Sequence, residues 1–395
     1  MVIFCLVIFA WLFSATNSAK LDDMVYSSRM RAGIGAIKRC FDELQLFEQD
    51  SCFLEHGNHE ANENAPLVLV ACSGGRDSLA LTALSAIVCA SRGLRCAVVI
   101  VDHHMQAHST EIAKEAANRC VQVGVDRKYV YLESVNVKDS GEGEESAARS
   151  ARYEAIIKVA NANKAAVVLL AHTANDQAET VLMGLKDSAG LEAVAGMKAI
   201  TQRQNVRFAR PLIELTREDT TGICEDLGIA WWDDPTNGDN ISKTQELCEN
   251  YPLRSRIRHT LMPYLSHFLK ANMVTLLSKG AKLAQDDLDY INSKVDEAYS
   301  KVTIIDENEQ IVSLEAKKLE QYHPAIRRRI IARALTALCL RFSSSHVQAI
   351  DELCTNWHGQ KPFSLPNHYE ASRRAKHIVI RLCKDSEHAN CRYTR

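Results

Sequence analysis

Apolar and polar positions in the first half of the chain follow two alternating patterns. Short runs rich in Val, Ile and Leu predict strands, and the stretches between them have the apolar spacing of amphipathic helices. The predicted strands are Pro66–Ala71, Arg95–Val101, Lys128–Leu132, Ala165–Ala171 and Val206–Ala209, and the predicted helices are Asp77–Val88, Ser109–Gly124, Glu145–Ala162 and one from Asn175. Uninterrupted apolar strands that alternate with helices are typical of a parallel sheet covered on both faces. We therefore predict a doubly wound α/β fold with a parallel sheet, in which ligands bind beyond the carboxyl ends of the strands.

Different patterns precede and follow this region. Residues 34–64 predict a helix and then a polar loop, and the strand pattern stops at about residue 239. Beyond it we predict a helix over 265–300, a hairpin over 302–314, helices over 324–341 and 345–357, and strands within 361–382. The chain then divides into an extension (1–64), the α/β domain (65–238), and a mainly helical linker with a C-terminal mixed α/β domain (239–395).

The composition is that of a globular protein, with 46% apolar and 24% charged residues. A net charge of −2 gives no overall positive field, so any nucleic-acid footprint must be local. The 13 cysteines include no C-x-x-C pair, so no zinc ribbon or iron–sulfur ligand set is encoded locally. Their odd number and irregular spacing show no disulfide framework, and we expect mostly buried thiols in a reducing compartment.

The segment Ser73–Ser78 (SGGRDS) stands between the first of these strands and the helix after it. Glycines let the backbone approach an anion closely, and the amino-terminal end of a helix attracts phosphate. The serines can add hydroxyl donors, and a carboxylate at Asp77 beside phosphates requires a cation such as Mg²⁺. We predict a nucleotide-phosphate loop made by Ser73, Gly74, Gly75, Arg76, Asp77 and Ser78. The alternative is a Gly-Gly turn followed by a helix-capping Asp or Ser. No G-x-x-x-x-G-K-[ST] sequence occurs, so the usual γ-phosphate loop is absent.

A second polar cluster, His172–Thr180, follows the strand predicted at Ala165–Ala171. If a helix begins near Asn175, Asp176 and Glu179 lie three residues apart on one face. Two carboxylates that face a site suit a cationic ligand, such as an amino group, or Mg²⁺. The alternative is that Asp176 caps the helix and Glu179 interacts with the helix dipole.

A third group comprises Arg210-Pro211-Leu212, Asp233–Asn237 and the arginines Arg254, Arg256 and Arg258. The sequence Asp-Pro-Thr-Asn at 234–237 has the composition of a tight turn. The three arginines form either a solvated helix face or a contact with phosphates near the active site.

In this order, the three groups resemble the motifs of the tRNA(Ile)-lysidine synthetase family, within the PP-loop ATP pyrophosphatases. The family pattern consists of S-G-G-x-D-S, V-D-H, H-x-x-D-D-Q-x-E-T, G-L-x-G-M, R-P-L, D-P-[ST]-N and R-N-x-I-R. The chain supplies Ser73–Ser78, Val101–His103, His172–Thr180, Val194–Met197, Arg210–Leu212, Asp234–Asn237 and Arg254–Arg258. The resemblance is strong over residues 65–265. It is weaker near the end, where Trp357–Lys361, Leu365-Pro366 and Arg373 resemble the family's substrate-recognition domain.

The resemblance implies an ATP-dependent carbon–nitrogen ligase. The family replaces the C2 oxygen of the wobble cytidine in a tRNA(Ile) with a CAU anticodon by L-lysine, through an adenylated cytidine, and releases AMP and pyrophosphate. It implies that Ser73–Ser78 bind ATP, that Asp77 and His172 are catalytic, and that Asp77 holds Mg²⁺. It also implies lysine binding by Asp176 and Glu179, and tRNA binding by Arg254, Arg256, Arg258, Arg328 and Arg373. The implied partners are the tRNA and lysine and no membrane; a homodimer is compatible with the resemblance.

The chain departs from the family pattern at several positions. His104 and Gln106 stand where the family often has Gly and Arg, Thr173 and Asn175 replace a His and an Asp, and Ser255 replaces an Asn. The first consequence is that Asn175 removes a charge beside the implied lysine site. The second is that Gln106 removes a phosphate contact.

Three alternatives compete with this interpretation. A tRNA thiolase would normally have cysteine pairs, which the chain lacks. An amidotransferase or a ligase related to NAD synthetase would need a glutaminase-type domain, for which no chain length remains. A catalytically inactive tRNA-binding protein would not need Asp77. Asp102, His103, His104 and His108 have the composition of a metal cluster, but the resemblance requires no zinc.

The N-terminal residues Val2–Phe13 form an apolar run that is too short to span a bilayer, which takes about 20 residues. No Lys or Arg precedes the run, and Asn17–Ala19 is a poor signal-peptidase site. Because an enzyme that consumes ATP belongs where ATP is present, we expect translation to start at Met24 or Met30. For the same reason we expect the protein to be cytoplasmic.

Overall fold

The computed structural model of the chain describes residues 26–54, 61–104, 108–135, 144–188, 190–234, 241, 247–306 and 308–383. The predictions made for the N-terminal apolar run, Met24, Gln106 and residues 235–237 lie outside these ranges. The chain forms two compact units, Met1–Ala284 and Gln285–Arg395.

A six-stranded sheet forms the centre of the first unit. Its strands are β1 (Leu67–Ala71), β2 (Arg95–Asp102), β3 (Val130–Ser134), β4 (Ala165–Leu169), β5 (Ile200–Arg203) and β6 (Val206–Ala209). They are arranged in the order β3-β2-β1-β4-β6-β5, and all neighbours are parallel except β6 and β5. Since β2 lies on one side of β1 and β4 on the other, the strand order reverses at β1. Ligands of open α/β sheets bind at such a reversal. The predicted doubly wound parallel sheet is confirmed.

Helices cover both faces of this sheet. They are α1 (Ser28–Glu43), α2 (Arg76–Arg92), α3 (Ser109–Gln122), α4 (Glu144–Ala162), α5 (Ala174–Asp187), α6 (Leu191–Val194) and α7 (Arg217–Asp226). Side chains alternate along β1, so Val68 and Val70 enter the core beneath α1, α2, α3 and α7, whereas Leu67 and Leu69 enter the core beneath α4. Two packed cores therefore hold β1 in the middle of the unit.

The last part of the first unit is helical. They are α8 (Leu253–Arg256), a π-helical turn (Ile257–Leu261), α9 (Met262–Phe268) and α10 (Met273–Val302), which continues into the second unit. The prediction of one helix over 265–300 is wrong, because the helix is interrupted at Lys270, whose φ is +51°. A side chain in this left-handed region is incompatible with a continuing right-handed helix.

The second unit contains a five-stranded antiparallel sheet in the order β7-β8-β11-β10-β9. Its strands are β7 (Thr303–Asp306), β8 (Ile311–Glu315), β9 (Phe363–Leu365), β10 (Tyr369–Arg374) and β11 (His377–Leu382). It packs with α11 (Ala316–Glu320), α12 (Pro324–Ala337) and α13 (Ser344–Thr355) around buried residues such as Ile330, Ile350 and Ile380. The predicted hairpin over 302–314 and the strands within 361–382 are confirmed.

Several boundaries differ from the predictions for local reasons. The first helix begins at Ser28 because the Ser27 hydroxyl accepts a hydrogen bond from the Met30 N–H (3.2 Å). Strand β3 begins at Val130 because a 3-10 turn precedes it. The sequence patterns did not predict β5 or α7; β5 is joined to β6 by two residues with positive φ, Gln204 and Asn205, instead of the usual Asn-Gly. In the described ranges, no helix combines the length and apolar character needed to cross a bilayer.

Candidate active site

The SGGRDS loop leaves the carboxyl end of β1 and enters α2. Gly74 has φ +81°, and a Cβ at this position would lie 2.8 Å from the Cβ of Ala116 on α3. A side chain is therefore excluded at Gly74 both by backbone conformation and by the neighbouring helix. The loop is seated directly on α3, at the edge of the sheet where a ligand was predicted.

Hydroxyl groups hold the loop in shape. The Ser78 hydroxyl accepts a hydrogen bond from the Ser73 N–H (3.1 Å) and donates to the Gly75 carbonyl (2.9 Å). Gly75 is the N-cap of α2, and no side chain among the described residues caps the helix there. The amino-terminal end of α2 thus faces the loop without a competing side-chain acceptor, as an anion site requires.

Asp77 lies in the first turn of α2 and faces α7. Its carboxylate accepts a hydrogen bond from the Thr220 hydroxyl, and its Oδ2 lies 3.5 Å from Nε of Arg217. Burial raises the pKa of the Asp77 carboxyl above its ordinary value, although Arg217 and Thr220 oppose this. Asp77 is half-buried among polar groups, so it is available to a ligand at the loop.

Asp176 uses its two oxygens differently. Oδ2 accepts hydrogen bonds from the N–H and the hydroxyl of Thr173, both 2.8 Å, which confirms the capping interpretation. Oδ1 lies 3.3 Å from Nη2 of Arg217 and 3.7 Å from Nη2 of Arg258. Burial raises the pKa of Asp176, but Arg217 and the groups around it leave that pKa below its ordinary value. This carboxylate therefore caps α5 and also faces the site.

Glu179 is the centre of an arginine cluster. Its side chain is 2% exposed, and both of its oxygens accept from Arg258, at 2.8 and 3.1 Å. Arg217 and Arg254 approach to 3.5 and 3.7 Å, and Arg254 also donates to the Thr180 hydroxyl (3.0 Å). The alternative, in which Glu179 interacts with the helix dipole, therefore does not account for these arginine contacts.

Arg217 is the main residue that the sequence patterns missed. Its guanidinium lies within 3.5 Å of carboxylate oxygens of Asp77, Asp176 and Glu179, so it connects the loop with the cluster after β4. A signal for it was present: in Thr216–Asp219, the Thr216 hydroxyl accepts from the Asp219 N–H (3.2 Å). This is a capping box, which starts α7 at Arg217 and directs that residue toward the sheet edge.

His172 is half-buried between β4 and α5. Its Nδ1 is buried and has no hydrogen-bond partner in the part of the chain that the structure describes. Burial lowers the pKa of His172 to about 3, and Arg210, Arg254 and Arg149 act in the same direction. The imidazole is therefore neutral at pH 7.

Two further motifs are docked onto these elements. The Gln177 amide donates to the Met197 carbonyl (3.0 Å) and accepts from the Met197 N–H (2.7 Å), so residues 194–197 are fastened to α5. The Trp232 N–H donates to the Gly74 carbonyl (3.1 Å), and Asp233 lies 3.7 Å from Arg76. The segment before the Asp-Pro-Thr-Asn motif thus contacts the loop.

Other residues singled out in the sequence have structural contacts. Arg210 is buried and donates to the Lys198 carbonyl (2.8 Å), which holds the segment that leads into β5. The Asn175 side chain accepts from the Arg217 N–H (2.8 Å), Ser255 is buried, and Asp102 accepts from the Thr110 hydroxyl (2.8 Å). Within the described ranges, no group of three His, Cys, Asp or Glu residues is placed to hold a metal.

The arginines of the second unit divide into two kinds. Arg327 is buried and paired with Asp351 through both carboxylate oxygens. Arg328 reaches the same carboxylate (3.0 Å), but its side chain is 56% exposed. Arg373 donates to the Leu353 carbonyl (2.9 Å) and lies over the Trp357 ring. Of the three, Arg328 has the most exposed side chain.

The central strand, its glycine loop and the carboxylates after β4 define a nucleotide-binding enzyme of the PP-loop class. A family model described as PP-loop domain matches residues 50–265, and one described as TilS substrate binding domain matches residues 314–379. The chain belongs to the tRNA(Ile)-lysidine synthase family. This confirms the resemblance in the motifs and the predicted class of enzyme.

Named relatives share most of their length with the chain. The tRNA(Ile)-lysidine synthase of Bifidobacterium longum (strain DJO10A) is 44% identical, over 93% of this chain and 100% of the relative. That of Bifidobacterium animalis subsp. lactis (strain AD011) is 43% identical, over 93% and 99%. That of Streptomyces coelicolor is 37% identical, over 80% and 86%. The solved structure of a U34-tRNA thiolase from Methanococcus maripaludis aligns with 63% of this chain and 79% of the thiolase chain, with a TM-score of 0.43 and 16% identity. This similarity is too distant to inform function.

Proposed function

We propose that the chain ligates L-lysine to C2 of the wobble cytidine of a tRNA(Ile) with a CAU anticodon. The C2 oxygen attacks the α-phosphorus of ATP and pyrophosphate leaves. The lysine ε-ammonium then gives up a proton and the resulting amine attacks C2. AMP departs with the oxygen, and the new C–N nitrogen loses a second proton. The position of Asp77 carries this proposal. It stands on the PP loop and contacts Arg217, which in turn contacts Asp176 and Glu179.

Ser73, Gly74, Gly75, Arg76 and Ser78 would hold the phosphates of ATP. The support is the positive φ of Gly74, the serine hydroxyls and the amino-terminal end of α2. Mg²⁺ fits at Asp77, since this ion is usually bound through one or two carboxylates together with substrate phosphates and water. Bound there, it would neutralise phosphate charge. Thr220 and Arg217 contact the Asp77 carboxylate from α7 and would hold it in place.

Asp176 and Glu179 would bind the lysine ammonium group. Among the described residues, Oδ1 of Asp176 accepts one long hydrogen bond, from Nη2 of Arg217 (3.3 Å), and lies 3.7 Å from Nη2 of Arg258. A carboxylate oxygen can accept a second hydrogen bond, so Oδ1 retains capacity for a ligand. Glu179 already accepts two short hydrogen bonds from Arg258 and would attract the ammonium by charge. His172 is neutral and close enough to Asp176 to interact with its charge. It would therefore accept the proton that the ammonium gives up, and would hold it only transiently before passing it to solvent.

The tRNA would contact Arg254, Arg256 and Arg258 in the first unit and Arg328 and Arg373 in the second. Arg254 and Arg258 lie four residues apart and both face Glu179, so they would act close to the reacting base. Of the five candidates, Arg328 is exposed and the other four are half-buried. Each phosphate contact makes binding weaker as salt concentration rises.

Pyrophosphate release from ATP, measured with a purified CAU tRNA(Ile) transcript, tests the proposal. We expect release that depends on the tRNA, and lysine incorporation into the tRNA that depends on lysine. Asp77→Asn is expected to abolish release and leave tRNA binding intact. Asp126→Asn, at an exposed turn, is the matched control and should behave as the wild type. Turnover with glutamine or sulfide in place of lysine would instead support an amidotransferase or a thiolase.

The same proposal covers the organisation of the chain. Residues 65–238 would form the catalytic domain and residues 239–395 the linker and substrate-recognition domain, after an extension over 1–64. Limited proteolysis with mass spectrometry tests these boundaries. Cytoplasmic location and a homodimer stay predictions, which cell fractionation and light scattering test.

A further inference from the structure

Residues 251–285 form a local positive region. They include Arg254, Arg256, Arg258, Lys270, Lys279, Lys282 and two histidines, and no Asp or Glu. In the whole chain, 49 acidic residues slightly outnumber 47 Lys and Arg residues. A chain with no overall positive charge needs a locally basic region to bind RNA, and this stretch of 35 residues without a negative charge has that composition.

Two aromatic side chains protrude from this region. Tyr264 and Phe268 on α9 are 60% and 67% exposed, and their rings stack with centroids 5.8 Å apart and an angle of 20° between planes. Their spacing of four residues places them on one face of the helix. Large aromatic side chains are normally among the more buried residues, so an exposed, aligned pair calls for a ligand.

The helix that carries the pair is anchored and is connected to the active site. Met262 of α9 is buried in a small core with Ala178 and Ile257, which fixes the helix on α5. Arg258, six residues before Tyr264, bonds to Glu179. The aromatic face is thus presented by the same helical segment that reaches the catalytic cluster.

We propose that Tyr264 and Phe268 form a stacking platform for unpaired RNA bases, and that Lys270 contacts the adjoining phosphate backbone. This rests on the proposed function in one respect, that the RNA is the tRNA substrate. Aromatic rings stack on any base, and neighbouring cations bind the backbone. A second copy of this chain is a less favourable partner for this face, because the two identical positive stretches would repel each other.

The platform is tested by binding of labelled CAU tRNA(Ile), measured by fluorescence anisotropy with the full-length protein. Tyr264→Leu/Phe268→Leu removes the rings and keeps apolar surface, whereas Tyr264→Phe/Phe268→Tyr keeps both rings. We expect the leucine variant to bind the tRNA about tenfold more weakly or worse, and the ring-retaining variant to bind within about twofold of the wild type. Binding of a fully paired RNA duplex should be unchanged. Lys270→Gln should reduce the slope of log Kd against log salt by about one, while the leucine variant leaves that slope unchanged.

Three results would overturn the platform. The first is wild-type tRNA affinity in the leucine variant, and the second is an equal loss of affinity for the duplex. The third is a wild-type dimer that the leucine variant converts to a monomer, which would make the face a self-interface. Ultraviolet crosslinking of the wild type to the tRNA gives a test that does not depend on the variant's folding: crosslinked peptides are expected to contain Tyr264 or Phe268, and their absence would contradict the proposal. A wild type that binds tRNA through this face but forms no lysidine would overturn the proposed activity and leave the platform standing.

Discussion

Replacing Glu179 by Ala should destabilise the first unit more than the same replacement of an exposed glutamate. Its side chain is 2% exposed and accepts two hydrogen bonds from Arg258, with Arg217 and Arg254 within 3.7 Å. In Glu179→Ala these guanidinium groups face one another, with Asp176 still beside Arg217 and Arg258 and Asp77 still beside Arg217. Loss of one partner of a buried ion pair costs about 3–5 kcal/mol.

The arginines determine where in that range the value falls. Their side chains are 13% (Arg217), 18% (Arg258) and 29% (Arg254) exposed, so water screens part of the repulsion. We therefore expect the lower end, about 3 kcal/mol. For a unit of this size that corresponds to a fall in Tm of roughly 6–12 °C. Glu179→Gln keeps the volume and one acceptor, and should lie between Glu179→Ala and the wild type.

Thermal unfolding followed by circular dichroism measures the effect. Glu115→Ala is the matched control, since Glu115 also pairs with an arginine, Arg119, but its side chain is 63% exposed. An exposed pair contributes about 0.2–1 kcal/mol, so the control should melt close to the wild type. If Glu179→Ala melts within about 2 °C of the wild type, the carboxylate does not hold the arginines together and the cluster has been misinterpreted.

Three further results are expected. Gly74→Ala should weaken ATP binding, measured by calorimetry, at least about tenfold. A non-glycine residue at this φ costs about 1–3 kcal/mol, and its Cβ would meet Ala116. Gly280→Ala, in open space on α10, should instead raise the stability of the protein by about 0.5–1 kcal/mol. Because the pKa of His172 is lowered to about 3, the unfolded chain takes up a proton below about pH 6.5 that the folded chain does not. In urea unfolding between pH 6.5 and 5, the wild type should therefore lose about 1–2 kcal/mol more than His172→Gln, and equal slopes would contradict the assignment. Arg328→Ala should lower the slope of log Kd for tRNA against log salt by about one without loss of stability. Arg327→Ala should instead lower the Tm of the second unit, because Arg327 is paired with buried Asp351. The opposite pattern would show that the two arginines have the reverse roles.

Local sequence was enough to predict the elements that carry the site. The runs at β1, β2 and β4 are apolar on both faces, and only a strand in the middle of a covered sheet has that requirement. The SGGRDS sequence could be assigned to an anion loop because glycine conformation and a helix terminus act within a few residues. Asp176 could be assigned as a cap for the same reason, and the structure shows that it is also something more.

Tertiary structure alone decided what each arginine does. Arg254, Arg256 and Arg258 are alike in sequence, yet Arg254 and Arg258 bond to the Glu179 region, and the bond from Arg258 spans 79 positions of the chain. The capping box of Thr216–Asp219 puts Arg217 at the start of α7, but only the packing of α7 against α2 places it among three carboxylates. A guanidinium on a long side chain takes its role from whichever oxygens the fold brings within reach. Local pattern therefore specifies a loop or a cap, whereas the partner of a charge is settled only when distant segments pack.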